Sequence, residues 1–233
     1  MLPKRLPASL LAFAALVLAA VPALAAPARP TEKLGPAVLV VATPQGGHVI
    51  GRPGAPLKLV EYVSYTCPHC AAFEKDGADT IGLTIVRPGK GSVEYRPLLR
   101  NIIDVAATLL VGCGNPAKFP GNHAAVLRGQ EKWFLPPSSA QQQRWSTGDF
   151  ASRMRAIAAD MYLYPIFEAR GYDRVELDRC LANEALAKVI AAENKQAMAQ
   201  LKLEGTPSFL IDGVLQPAHD WATLRTALAA ATK

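Results

Sequence analysis

The sequence is short of several things. Beyond its first 25 residues no run approaches the ~18 apolar residues of a membrane-crossing helix. There is no internal repeat and no low-complexity tract, which sets aside repeat architectures. Charge of either sign is modest, a formal +6, so nothing demands a nucleic-acid partner. Cysteines number only four, and one close pair, Cys67 and Cys70, has no second pair to match it. His48, His123 and His219 show no ligand spacing either, which counts against a structural zinc site with its four ligands, and no metal is expected.

What is present begins with a leader. Lys4 and Arg5 precede the apolar "SLLAFAALVLAAV", and Ala23-Leu24-Ala25 supplies a small-x-small cleavage pattern. Residues 1–25 read as a cleaved signal peptide, and the absence of a nearby cysteine sets aside a lipoprotein. Its removal takes two positive charges and no negative one, lowering the formal charge to +4. An exported chain meets an oxidising compartment, where thiols tend to pair. Four cysteines allow three pairings, and spacing alone does not choose among them.

Residues 26–36 are Pro-rich and polar, a flexible N-terminus. Strands are expected at 37–42, 57–65, 92–99 and 207–213, with a brief one around His48 and Val49. Pro68 suits the first turn of a helix, where its missing N–H has no intrahelical partner. Positions 70, 73, 77, 81 and 85 then share one helical face, with Gly77 the weak member. Residues 102–203 carry few strand-like runs and read as four or so helices, about 102–112, 119–134, 148–170 and 174–202, with Pro136-Pro137-Ser138-Ser139 as a loop. Residues 219–233 close the chain as a helix capped by Asp220. A helical block interrupting an α/β pattern points to an insertion into a small sheet domain: 37–101 and 204–233 form the sheet domain and 102–203 the insert.

The stretch "LVEYVSYTCPHCAAF" places the cysteine pair at a strand-to-helix junction. A staple closing so tight a loop restrains little chain entropy. A redox pair has a mechanism there. The Cys67 thiolate faces unpaired N–H groups and the positive end of the helix dipole, which lowers its pKa below ~8.5. His69 adds a donor or partial positive charge between the cysteines. Cys70, one turn in, is the resolving thiol. Glu61 is either at an exposed strand end or buried with a raised pKa, able to shuttle the Cys70 proton. Pro207 in "GTPSF" either opens a strand in trans or forms a cis bond that leaves the Thr206 backbone free to pair with a substrate strand. His123 and His219 read as helix-start or surface residues, and Trp133-Phe134 and Met161-Tyr162-Leu163-Tyr164 as core of the helical block.

Glu61, Cys67-Pro68-His69-Cys70 and Thr206-Pro207 before "FLIDG" together resemble the exported thioredoxin-fold disulfide oxidoreductases of the DsbA type. The resemblance implies a thioredoxin-like fold with an inserted all-helical domain, Cys67 as nucleophile, Cys70 as its partner, a buried Glu61 and a cis Pro207. It implies a monomeric periplasmic dithiol oxidase with no cofactor beyond the Cys67–Cys70 disulfide, acting on unfolded or reduced exported proteins and re-oxidised by a DsbB-like quinone-linked membrane partner. Thr206 departs from the valine of the best-known oxidases and is common in isomerase-type relatives. Cys113 and Cys180 are extra to the simplest pattern, although some relatives carry a second pair in the helical domain; joined, they would contribute at most about 4 kcal/mol. The same site run as an isomerase or reductase, and a non-catalytic chaperone-like binder, are the competing readings.

Overall fold

The computed structural model describes residues 38–231 apart from Pro53. The expected leader at 1–25 and the flexible stretch 26–36 lie outside the described residues. Strands β1 (Leu39–Ala42), β2 (His48–Gly51), β3 (Leu57–Val63), β4 (Gly91–Pro97), β5 (Ser208–Ile211) and β6 (Val214–Leu215) form one sheet in the order β1-β2-β4-β3-β5-β6. Only β3 and β4 run parallel; the other neighbours are antiparallel. A parallel pair needs a crossover. Here it is α1 (Pro68–Asp76), α2 (Ala78–Ile81) and a π-turn over Gly82–Val86.

Central β3 is covered on both faces, which explains its nearly continuous apolar run. Leu57 and Leu59 pack with Phe73, Ile81, Ile85, Phe209 and Leu224 on one side. Val60 and Tyr62 pack with Leu210, Ala197 and Leu203 on the other. The face predicted for positions 70, 73, 77, 81 and 85 is buried throughout. Gly77 proves necessary rather than weak: a Cβ there would lie 2.8 Å from the Trp221 ring, at the start of α11 (Trp221–Ala231).

Between β4 and β5 the chain forms α3 (Ile102–Val111), α4 (Phe119–Arg128), α5 (Gln130–Trp133), α6 (Ser139–Trp145), α7 (Phe150–Asp160), α8 (Leu163–Glu168), α9 (Arg174–Leu181) and α10 (Glu184–Leu201). The expected long helices are therefore broken. Gly129 separates α4 from α5, and Tyr162, at φ 52°, separates α7 from α8. Asn183 caps α10 by accepting from the Leu186 N–H. Helix α6 follows the Pro136-Pro137 loop, started by a Ser138–Gln141 capping box. Asn194 of α10 ties the block to the sheet, donating to the Pro97 carbonyl at 2.6 Å and accepting from the Leu99 N–H at 2.7 Å. This is the expected class, an α/β sheet with an inserted helical block. Among the described residues no single helix is long and apolar enough to cross a membrane.

Candidate active site

Strand β3 delivers the chain to Cys67, which sits at the N-cap of α1 with Pro68 at the first turn. No acidic residue occupies that turn, so nothing offsets the dipole's positive end. Pro68 and His69 are exposed, whereas Cys70 is fully buried. Both cysteines are free thiols.

The two sulfurs are driven apart in acidity. Hydrogen bonding from Cys70 is the first influence pulling the Cys67 pKa down to about 4; burial opposes it, and Thr206 and the backbone N–H groups of Cys70 and His69 help it. Cys70 moves the opposite way, raised first by burial, then by its bond to Cys67 and by the charges of Cys67 and Glu61. This split is what an exchange pair requires: one sulfur that is an anion at neutral pH and one that is not.

Glu61 lies inside, 2 % exposed, so the strand-end alternative is excluded. Burial first, and the charge of Glu74 second, raise its pKa well above the usual carboxylate range. Thr206–Pro207 is cis. Protonated Cys67 donates to the Thr206 carbonyl at 3.1 Å, which brings the late loop against the sulfur. Cys67, Pro68, His69, Arg100, Gly205 and Thr206 line a depression of ≈ 310 Å³. Cys113 and Cys180 are joined by a disulfide between the end of α3 and α9. Among the described residues no cluster of three or more His, Cys, Asp or Glu side chains is placed to hold a metal.

Two positioning residues were missed in the sequence. Buried Asp104 accepts from the Ser64 hydroxyl at 2.9 Å, the Thr66 N–H at 2.9 Å, the Thr66 hydroxyl at 3.1 Å and the Arg100 N–H at 2.8 Å. Buried Gln130 donates to the carbonyls of Tyr65 at 2.7 Å and Cys67 at 3.0 Å. Together they pin the loop that presents Cys67 from two sides. Asp104 stands three residues after Asn101, the N-cap of α3, so its sequence signal was that of an ordinary first-turn carboxylate.

His123 corrects the surface expectation. It is 3 % exposed, because Phe119 and His123 are four residues apart and α4 turns both inward. Trp133, Met161, Leu163 and Tyr164 are core as expected, but Tyr162 is 64 % exposed, turned outward by its left-handed backbone.

A family model described as Thioredoxin matches residues 43–230. A crystal structure of a protein-disulfide isomerase from Novosphingobium aromaticivorans is 47% identical, with a TM-score of 0.77, covering 81% of this chain and 98% of that one. The alpha-DsbA1 structure of Wolbachia pipientis, 17% identical, has a TM-score of 0.64 over 79% of this chain and 89% of its own, a likeness of fold. A Rickettsia conorii protein provisionally named a protein-disulfide oxidoreductase is 24% identical over 181 residues, 77% of this chain. The chain spans 58% of that relative's length. With sheet, helical insert and family model in agreement, this chain belongs to the thioredoxin family and shares the fold of its DsbA-type members.

Proposed function

We propose that the protein is a thiol:disulfide oxidoreductase that oxidises protein dithiols. The observation that carries this reading is the placement of Cys67 at the N-cap of α1, against the Thr206 carbonyl, with Cys70 buried one turn in, an arrangement that favours an acid sulfur beside a non-acid one. A client thiolate attacks Cys67 of the oxidised pair. The Cys67–Cys70 bond breaks, and Cys70 leaves with the electron pair and takes a proton. A second client thiolate then attacks the client sulfur, forming the client disulfide and releasing Cys67 as a thiolate. The client loses two electrons and the pair gains them.

The driving force follows from the anion. With a pKa near about 4, Cys67 is ionised about a thousandfold over its neutral form at pH 7. That favours the reduced state, on the order of 90 mV toward oxidising strength. We expect equilibration with a glutathione buffer to give a potential above about −200 mV; a value below about −300 mV marks a structural staple.

The isomerase reading is favoured by the Novosphingobium aromaticivorans protein, 47% identical and named a protein-disulfide isomerase. The two separate on substrates. An oxidase in its disulfide form acts on fully reduced client, whereas an isomerase in its reduced form restores activity to a scrambled one. Export by the N-terminal segment, work in the periplasm as a monomer and recycling by a DsbB-like quinone-linked membrane partner complete the proposal.

A further inference from the structure

Two opposite charges stand beside Cys67 with nothing to neutralise them. Arg100 and Glu204 line the depression of ≈ 310 Å³ that holds Cys67. Both are exposed. Among the described residues neither the Arg100 guanidinium nor the Glu204 carboxylate has an ion-pair or hydrogen-bond partner, and the two are not paired with each other. Elsewhere around α1 exposed charges do pair: Lys75 binds Glu131 at 2.8 Å and Arg128 binds Asp79 at 2.8 Å.

Both charges rise from anchored backbone. The Leu99 N–H donates to Asn194 at 2.7 Å and the Arg100 N–H to Asp104 at 2.8 Å. The Asn101 side chain donates to the Thr66 hydroxyl at 2.9 Å, one residue before Cys67. Glu204 precedes the cis Thr206–Pro207 bond. There the Gly205 carbonyl accepts from the Ser208 hydroxyl at 2.8 Å, and the Pro207 carbonyl from Nδ1 of His219 at 2.9 Å. The Thr206 carbonyl faces Cys67 itself. Arg100 and Glu204 thus flank the sulfur from two separate, fixed loops.

We propose that Arg100 and Glu204 are a charge clamp that reads the order of charged side chains around a client cysteine, Arg100 taking an acidic side chain on one flank and Glu204 a basic one on the other. The proposal deepens the functional reading above and rests on Cys67 being the sulfur that meets the client. The client class it names is an extended segment with its cysteine between residues of opposite charge.

The surroundings suit selection. The leading influences on the Cys67 thiol are hydrogen bonds and burial, so these two charges are not what makes the sulfur acidic. They are left for what enters the depression. An adjoining depression, lined by Lys202, Glu204, Ser208, Leu215 and His219, gives an extended client room beyond Glu204. In such a segment the residues two places either side of the cysteine share its face. One exposed ion pair gains little. Reversing the client's charge order, however, replaces two attractions with two repulsions, and like charges facing each other suppress wrong partners.

The test uses two end-blocked peptides of one composition, Glu-Gly-Cys-Gly-Lys and Lys-Gly-Cys-Gly-Glu, each carrying thionitrobenzoate on its cysteine through a disulfide. Each is mixed with an excess of reduced protein. The Cys67 thiolate attacks the peptide sulfur, the Cys67–peptide S–S bond forms, and the coloured thionitrobenzoate leaves with the electron pair. Cys70 then displaces the peptide as a colourless thiol, so the colour reports the first step alone. One charge order is expected to react at least about fivefold faster at low salt. The preference should shrink in 1 M salt, where screening acts within ~3 Å. Arg100→Glu combined with Glu204→Arg is expected to reverse it, and Arg100→Gln or Glu204→Gln to reduce it. Each protein's two rates are compared with each other, so a general change in Cys67 reactivity cancels. If the double variant does not fold, the two Gln variants decide. Equal rates for the two orders, or a preference that these variants leave in place, overturns the clamp alone. Colour release that persists at the wild-type rate in Cys67→Ser overturns the Cys67 reading, and the clamp falls with it.

Discussion

Cys67→Ser is expected to reduce oxidation of a reduced multi-disulfide client to the uncatalysed rate, whereas Cys70→Ser should still exchange but strand the partner on Cys67. The asymmetry follows from position. Cys67, itself 3 % exposed, occupies the N-cap and lines the depression, with its thiolate favoured at neutral pH. Cys70 is fully buried and its thiolate is disfavoured. A hydroxyl at 67 supplies neither an anion near pH 7 nor a sulfur to bridge, so the effect is a loss rather than a slowing. A hydroxyl at 70 leaves the first sulfur able to attack small disulfides or an oxidised client, with nothing to resolve the product. Gel analysis without reductant after such exchange should show a client–protein adduct with Cys70→Ser and none with Cys67→Ser. A Cys67→Ser protein that oxidises client at the wild-type rate contradicts the assignment.

Asp104→Ala is expected to destabilise the fold by about 3 kcal/mol or more, a large share of a domain's margin. The carboxylate accepts hydrogen bonds from two side-chain hydroxyls and two backbone N–H groups, in the loop before Cys67 and at Arg100. Its removal leaves buried donors at Ser64 and Thr66 without this acceptor, and unmade bonds cost more than made ones gain. The loop carrying Cys67 loses one of its two anchors, so the thiol reaction rate should change as well. Denaturant unfolding monitored with both cysteines reduced measures the loss. A shift below about 1 kcal/mol would place the anchoring elsewhere.

How much of this was legible varies with the range of the interactions. Strand β3, the Pro68 helix start and the face through Cys70 and Phe73 rest on neighbours a few residues away, and all were readable. The Ser138-x-x-Gln141 signal for α6 was present too, but the Pro136-Pro137 loop in front of it hid it. Strand β6 has two residues, too few to show a period. The breaks inside the helical block follow from single residues such as Tyr162, whose left-handed φ no local rule demands. Asp104, Gln130 and His123 were illegible for a common reason. Each has a common polar side chain on a helix, and its role depends on partners about forty to sixty-five residues away in the chain. Pattern reading sees the helix and not the loop it holds.

The central claim is that the fold stabilises a sulfur anion at the start of α1. Ultraviolet absorbance of the reduced protein, less that of its oxidised form, reports thiolate directly across a pH titration. One thiolate should appear with a midpoint of about 4, with the second sulfur staying protonated well beyond the ordinary thiol range. A first thiolate that appears only at ~8.5, the ordinary value of a free thiol, contradicts the account.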